Sequence, residues 1–432
     1  MPPHLPPHLP PHLPQVGASL AQEAVHQEPQ VTLGLLAVIL SEPACAAAAL
    51  AHLQYAATDG LAGVAAEGGR LVTELWPRLQ EEVQQQLVWL LGRLAALGTP
   101  GAPELLLRLL RWCGGGSRRS RWLAEQLVAV VEEHRSWVTE HPDVAAGVVY
   151  CLLRQVEEHA AGETREEVEG LAGREARLAV ALVRGAPRAA ATLGRELVRA
   201  LQQVARVPEV LQLWRDLLEG RLAPHVTLEA LMGTAAPPWL LALRLTPVME
   251  AKLLFLTQQV AFGQQSRYEG WFQRAHLATP ESQSLRPDLV RWLLGAVHPT
   301  NEVLGSGVTP RWAVVGGLLM ACTSQVAGAH TKLALFLDWL FFDPSSDSIM
   351  AVEPAALLMQ STVRSHPHLL PSLLDFLLRL AAAFLPAAAA MVEAGVTAAW
   401  RALLDRWDLS SMDSHYQYLK KLFLFLVIMT LN

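Results

Sequence analysis

Along most of this chain apolar residues recur at steps of three and four, the period that gathers them on one face of an α-helix. In "RLQEEVQQQLVWLLGRL" the stripe is Leu79, Val83, Leu87, Leu90 and Leu94, with Pro77 placed to open the first turn. "SRWLAEQLVAVVEEHRSWV" repeats the pattern with Leu123, Leu127, Val130 and Trp137, and "PDVAAGVVYCLLRQVEEH" with Val144, Val148, Cys151 and Val156. "TPVMEAKLLFLTQQV" carries Met249, Leu253, Leu256 and Val260, and "TPRWAVVGGLLMAC" carries Trp312, Val315, Leu319 and Cys322. No run alternates apolar and polar residues between turn signals as a strand would. Thr-Pro pairs at Thr246, Thr279 and Thr309 look like helix starts, because the hydroxyl can accept from a first-turn amide and proline loses nothing there. Their spacing, roughly thirty residues, lies near the short end of paired-helix repeats. The predicted fold is all-α, an α-solenoid of stacked HEAT/armadillo-like hairpins.

"KLALFLDWLFFDPSSDSIM" (332–350) tests that prediction. As a helix up to Phe342 it has one stripe of Leu333, Phe336, Leu337 and Leu340 and a second of Leu335, Trp339 and Phe342. Lys332, Ala334 and Asp338 are left as a narrow face for water. A helix apolar nearly all round belongs between neighbours on two sides, which a stack of helical pairs provides. Trp339, Phe341 and Phe342 are therefore expected to be buried, with the helix ending at Asp343-Pro344.

Composition narrows the class. With 52% hydrophobic and 17% charged residues the chain can bury a large core, and a net charge of −6 argues against coating a phosphate backbone. Cysteines at 45, 113, 151 and 322 are too scattered for a metal site or a disulfide framework, so reduced thiols are expected. The longest uncharged run, Trp312–Thr331, is interrupted by Gly, Ser, Thr and Gln, and the apolar run 422–429 is too short to span a bilayer. A soluble protein without membrane association is expected. "MPPHLPPHLPPHLPQ" reads as a disordered Pro/His-rich tail over 1–28, followed by a helical repeat domain over 29–407 and an atypical tail over 408–432. The charged stretch from Glu157 to Arg177 reads as a solvated loop or exposed helix.

Catalytic motifs are absent: there is no His-Glu-x-x-His, Cys-x-x-Cys or Gly-x-Ser-x-Gly. Neither catalytic residues, nor a cofactor, nor a metal is expected. "GGGSRRS" (114–120) resembles a phosphate loop only in its glycines; it follows a helix and lacks Gly-Lys-Ser/Thr, so a flexible linker is expected. It does hold the densest basic cluster, Arg118, Arg119 and Arg121, preceded by Arg108 and Arg111. "FGQQSRYEGWFQR" interleaves Arg267, Tyr268, Trp271, Phe272 and Arg274, a mixture suited to a nucleic-acid groove or a protein hot spot. Tyr268, Trp271 and Phe272 would share a helical face, so core packing is the first expectation and a partner surface the second. "HPH" at 366–368 reads as a turn.

Several long blocks carry a resemblance. "ELWPRLQEEVQQQLVWLL" (74–91), "RELVRALQQVARVPEVLQLWRDLL" (195–218) and most of the chain from "LTPVMEAKLLF" (245) to "SIMAVEPAALLM" (348–359) resemble the Integrator complex subunit 3 family, whose members are also known as the scaffold of the SOSS complex, a sensor of single-stranded DNA. The likeness covers roughly residues 70 to 400 and the N-terminal half of the family. It implies a non-enzymatic nuclear scaffold, present also in the cytoplasm. As implied partners it brings an OB-fold single-stranded-DNA-binding protein, the small third member of the SOSS complex and other Integrator subunits. Single-stranded DNA would then be met mainly through the OB-fold protein. Double-strand-break repair, checkpoint signalling, small nuclear RNA 3′-end processing and transcription attenuation are the processes implied. The alternative reading of the residues is a helical repeat protein that binds single-stranded nucleic acid directly.

Overall fold

The computed structural model describes residues 30–57, 59–160 and 170–406. Both tails expected from sequence, 1–28 and 408–432, lie outside the described residues. Those described form α-helices and short 3-10 turns, with isolated bridges at Ala223–Val226 and Ala261–Val308 and no strand. The chain divides into two compact units: one runs to Leu110 and takes in Glu125–Val144, the other takes in Arg111–Ala124 and everything from Ala145.

In the first unit Ala62–Leu75 packs on Glu81–Ala96 and Ala102–Leu110. Leu87, Leu90 and Leu94 are buried as their spacing requires, against a core that includes Val72, Leu105 and Leu106. The Asp59 carboxylate accepts from the amides of Leu61 (2.9 Å) and Gly63 (2.6 Å), satisfying donors that the helix start would leave open. Pro77 does not open the long helix. It sits in a 3-10 turn, Trp76–Arg78; Leu79 is extended, and the α-helix begins at Glu81, with Gln84 Nε2 donating to Trp76 O at 2.7 Å.

The second unit is a succession of stacked helical hairpins. Leu171–Gly185 packs on Pro208–Leu218, which packs on Arg195–Val204; Arg195–Val204 reaches Gln325–Leu340. Leu285–Gly295 lies against both Arg311–Met320 and Gln325–Leu340, and Gln325–Leu340 lies in turn against Leu369–Ala383 and Ala389–Arg406. Thr246 caps Pro247–Gln259 by accepting from Met249 N at 3.2 Å, as expected. Thr279 likewise opens a 3-10 turn at Glu281. Thr309 differs: it is buried and donates its hydroxyl to Val260 O at 2.9 Å, and the following helix starts at Arg311 without a side-chain cap.

The Trp339 helix spans Gln325–Leu340, ending before Phe342. Trp339, Phe341 and Phe342 are buried. Trp339 stands edge-to-face on Phe336 and on Trp400 and donates Nε1–H to Val352 O at 3.0 Å. The face assigned to water is not wet, however. Ala334 and Asp338 are buried, and Lys332, half-buried, donates to Ser372 Oγ at 2.7 Å. The 312–331 run divides between two helices, Arg311–Met320 and Gln325–Leu340. One stretch among the described residues, Pro386–Asp405, is long and apolar enough by length and composition to cross a membrane; Val392, Ala399 and Leu403 on it are buried.

Candidate functional site

The glycine loop at 114–116 is anchored rather than a free linker. Gly115 and Gly116 both adopt positive φ, and their amides converge on Glu158 Oε1 at 2.7 and 2.6 Å. Successive amides in such a turn form an anion-binding nest, and an internal carboxylate already occupies this one. Gly116 is required there, since a Cβ would stand 2.3 Å from that of Glu281. Arg118, Arg119 and Arg121 lie exposed at the start of Arg118–Glu133. Arg111 does not join them: it donates to Leu245 O (2.8 Å) and pairs with Glu250.

Glu158 is one end of a buried ion network that sequence reading missed. It accepts from Arg244 Nη2 at 2.7 Å, and Arg244 Nε donates to Asp288 at 3.3 Å. Asp288 also accepts from Arg154 Nε (2.8 Å) and Arg199 Nη2 (3.0 Å). Arg199 donates to Glu196 at 2.7 Å; Arg291 links Glu196 to Asp338 (2.7 Å); Arg195 continues from Asp338 (3.3 Å) to Asp347 (2.7 Å). Burial disfavours the charge on Asp288, yet Arg154, Arg199 and Arg244 outweigh it and hold the carboxyl down at about 2. Glu157 is likewise opposed by burial and brought to about 2 by Arg154 and His330. Glu157, Glu158 and Glu175 thus lie mostly inside, not on the solvated segment expected around them, of which residues 161–169 are outside the description.

The second candidate block forms a helical hairpin with Pro247–Gln259 packed on Ser266–His276. Of the three aromatics expected to share a helical face, Tyr268, Trp271 and Phe272, only Phe272 enters the core, at 2% exposure. Tyr268 and Trp271 are 44% and 46% exposed, which overturns core packing for these two. Beside them are two residues the sequence reading did not single out, Phe255 (43% exposed) and Lys252. Phe255 meets Tyr268 edge-to-face at 5.6 Å, and the Lys252 ammonium sits 5.4 Å from the centre of the Trp271 ring. The sequence held a signal: Phe255 lies off the Met249–Leu253–Leu256 stripe that fills the core. Arg267 and Arg274 are exposed on the same hairpin.

No group of three or more His, Cys, Asp or Glu among the described residues could hold a metal ion. His366 and His368 occupy the turn expected of them, between Glu353–Ser365 and Leu369–Ala383. Arg118, Arg119 and Arg121 thus lie on the first turn of a helix rather than in a loop, while Arg267, Tyr268, Trp271 and Arg274 are exposed together on Ser266–His276.

A family model described as Integrator complex subunit 3 N-terminal matches residues 26–418. Integrator complex subunit 3 of Homo sapiens is 40% identical over 386 residues, which is 88% of this chain and 37% of the relative. The Danio rerio protein of that name is 42% identical over 375 residues (86% and 36%), and the Drosophila mojavensis homolog 37% over 392 residues (90% and 36%). The chain thus spans little more than a third of the length of these relatives. With the match covering all the described residues, the chain belongs to the Integrator complex subunit 3 N-terminal family.

Proposed function

We propose that this chain is a non-enzymatic scaffold, a component of an Integrator-type nuclear assembly. In this reading it also holds an OB-fold single-stranded-DNA-binding protein and a small third protein, so that DNA is bound through the OB-fold partner. Repair of double-strand breaks, checkpoint signalling and small nuclear RNA processing are the processes such a scaffold would serve. The relatives' name supports membership of an Integrator assembly. The observation that carries the scaffold reading is the division of labour among side chains. Many of the charged groups of the second unit are spent inward on holding helices together, while Phe255, Tyr268 and Trp271 are left outside on a braced hairpin. Exposed aromatics on a rigid element are what a protein hot spot requires. The test is co-purification of the full chain with an OB-fold single-stranded-DNA-binding protein at moderate salt. Retention by wild type and loss by Trp271→Ala is the expected result; no retention by folded wild type refutes the reading.

Direct nucleic-acid binding keeps one favourable observation, the exposed Arg118, Arg119 and Arg121. Against it, the glycine amides beside them already hold Glu158. A gel-shift of single-stranded DNA by the chain alone, lost in Arg118→Ala/Arg119→Ala and steeply weakened by salt, would make this second reading the better one.

A further inference from the structure

The hairpin from Pro247 to His276 carries two carboxylates, Glu250 and Glu269, and three lasting cations, Lys252, Arg267 and Arg274. Both carboxylates are withdrawn from its outer face. Glu250 is paired with Arg111. Glu269 is turned against Arg311–Met320, so close to Gly317 that a Cβ there would stand 3.0 Å from the carboxylate. Its Oε1 is buried and accepts no hydrogen bond among the described residues. The cations stay outside. Lys252 lies over Trp271; Arg274 folds back across Gly270, its Nη1 3.4 Å from where a Cβ would stand; and no ion pair is formed by Arg267 or Arg274 among the described residues. Around these charges Val248, Phe255, Tyr268 and Trp271 are exposed.

We infer that this face is a docking site for an acidic, amphipathic segment of a partner protein, whose carboxylates meet Lys252, Arg267 and Arg274 while its apolar side chains cover Phe255, Tyr268 and Trp271. The inference rests on the scaffold reading above and adds the chemistry of what is held. Charge complementarity selects the occupant: with Glu250 and Glu269 turned away, the hairpin's outward charges are the cations Lys252, Arg267 and Arg274, which favour acidic groups on a chain of net charge −6. A single-stranded nucleic acid fits less well. Base stacking needs open ring faces, but the Trp271 ring has Lys252 over it and Phe255 and Tyr268 pack edge-to-face on each other. A basic segment would be repelled by all three cations.

The experiment uses the full chain and a fluorescent peptide of alternating Asp and Leu, followed by anisotropy. Binding that weakens with salt, about tenfold in Arg267→Ala/Arg274→Ala and at least tenfold in Trp271→Ala, is the expected result, because a central tryptophan carries more than rim charges do. These residues are exposed, so unchanged helical circular dichroism and melting temperature are required of the variants. Equal binding of a Lys-Leu peptide, insensitivity to the substitutions, or displacement of the Asp-Leu peptide by oligothymidylate overturns the inference. Co-purification of the OB-fold protein is scored on the same preparations. A chain that binds the peptide but retains no OB-fold protein separates failure of the scaffold reading from failure of this one.

Discussion

Arg291 donates to Asp338 on one helix and Glu196 on another, and all three side chains are buried. Truncating it takes one of two cations from each carboxylate, since Arg195 stays on Asp338 and Arg199 on Glu196; removing one partner of a buried pair costs up to about 3–5 kcal/mol. Arg291→Ala should therefore lower the urea midpoint far more than Arg379→Ala, whose pair with Asp375 is exposed and worth at most ~1 kcal/mol. Equal midpoints for the two variants would contradict the network. The pH dependence follows from the same residues. Asp288 and Glu157 are brought from the ordinary 3.8 and 4.5 to about 2. Their contribution is thus present above those ordinary values and is lost as pH falls from roughly 4.5 toward 2. Glu269 has the opposite sign. Burial lifts it to about 7, so the folded chain binds its proton more tightly and stability declines as pH rises from roughly 4.5 to 7. A melting profile of Glu269→Gln should lack that second decline while keeping the acid-side loss. Thiol chemistry offers a further check: Cys45 is exposed, whereas burial pushes Cys151 up to about 12 and Cys113 upward. A disulfide reagent should modify Cys45 in the folded chain and reach Cys113 and Cys151 only on unfolding.

At the scale of helices, close approach is controlled by glycine. Gly395 lies within Ala389–Arg406, and a Cβ on it would stand 2.5 Å from the carbonyl oxygen of Leu340, where the Trp339 helix ends. Alanine is the better helix former by about 1 kcal/mol, so propensity alone predicts that Gly395→Ala stabilises. Overpacking a tight contact costs about 1–3 kcal/mol, and here the obstacle is backbone that cannot swing aside. The expected result is a lower melting temperature; a higher one would show that the two helices can part at little cost. Hydrophobic spacing made most helices legible, since Val144, Val148, Cys151 and Val156, or Met249, Leu253 and Leu256, are buried as their period requires. Boundaries were less legible. The start at Glu81 rather than Pro77, and the break after Glu133 within the expected 120–138 helix, depend on how the chain turns into its next neighbour.

For the whole molecule, the acidic and basic residues that brace the second unit come from distant parts of the chain: Arg195 and Asp338 are 143 positions apart, Arg154 and Asp288 134. Asp338 shows why such a network escapes sequence reading. On its own helix it is one of few polar residues, and polarity at a fixed period ordinarily marks the wet side. Its burial becomes favourable only because Arg195 and Arg291 arrive from two other helices. The aromatic face follows the same logic in reverse: Tyr268, Trp271 and Phe272 share a stripe, yet the neighbouring helix covers Phe272 and leaves the others outside. By itself the sequence determined the all-helical class, the core stripes and the enclosure of Trp339, because those depend on the period of apolar residues along each segment. Tertiary structure decided which charges pair in the interior, that the glycine nest holds Glu158, and which aromatics remain exposed. Each of these depends on groups brought together from segments whose mutual placement no local period encodes.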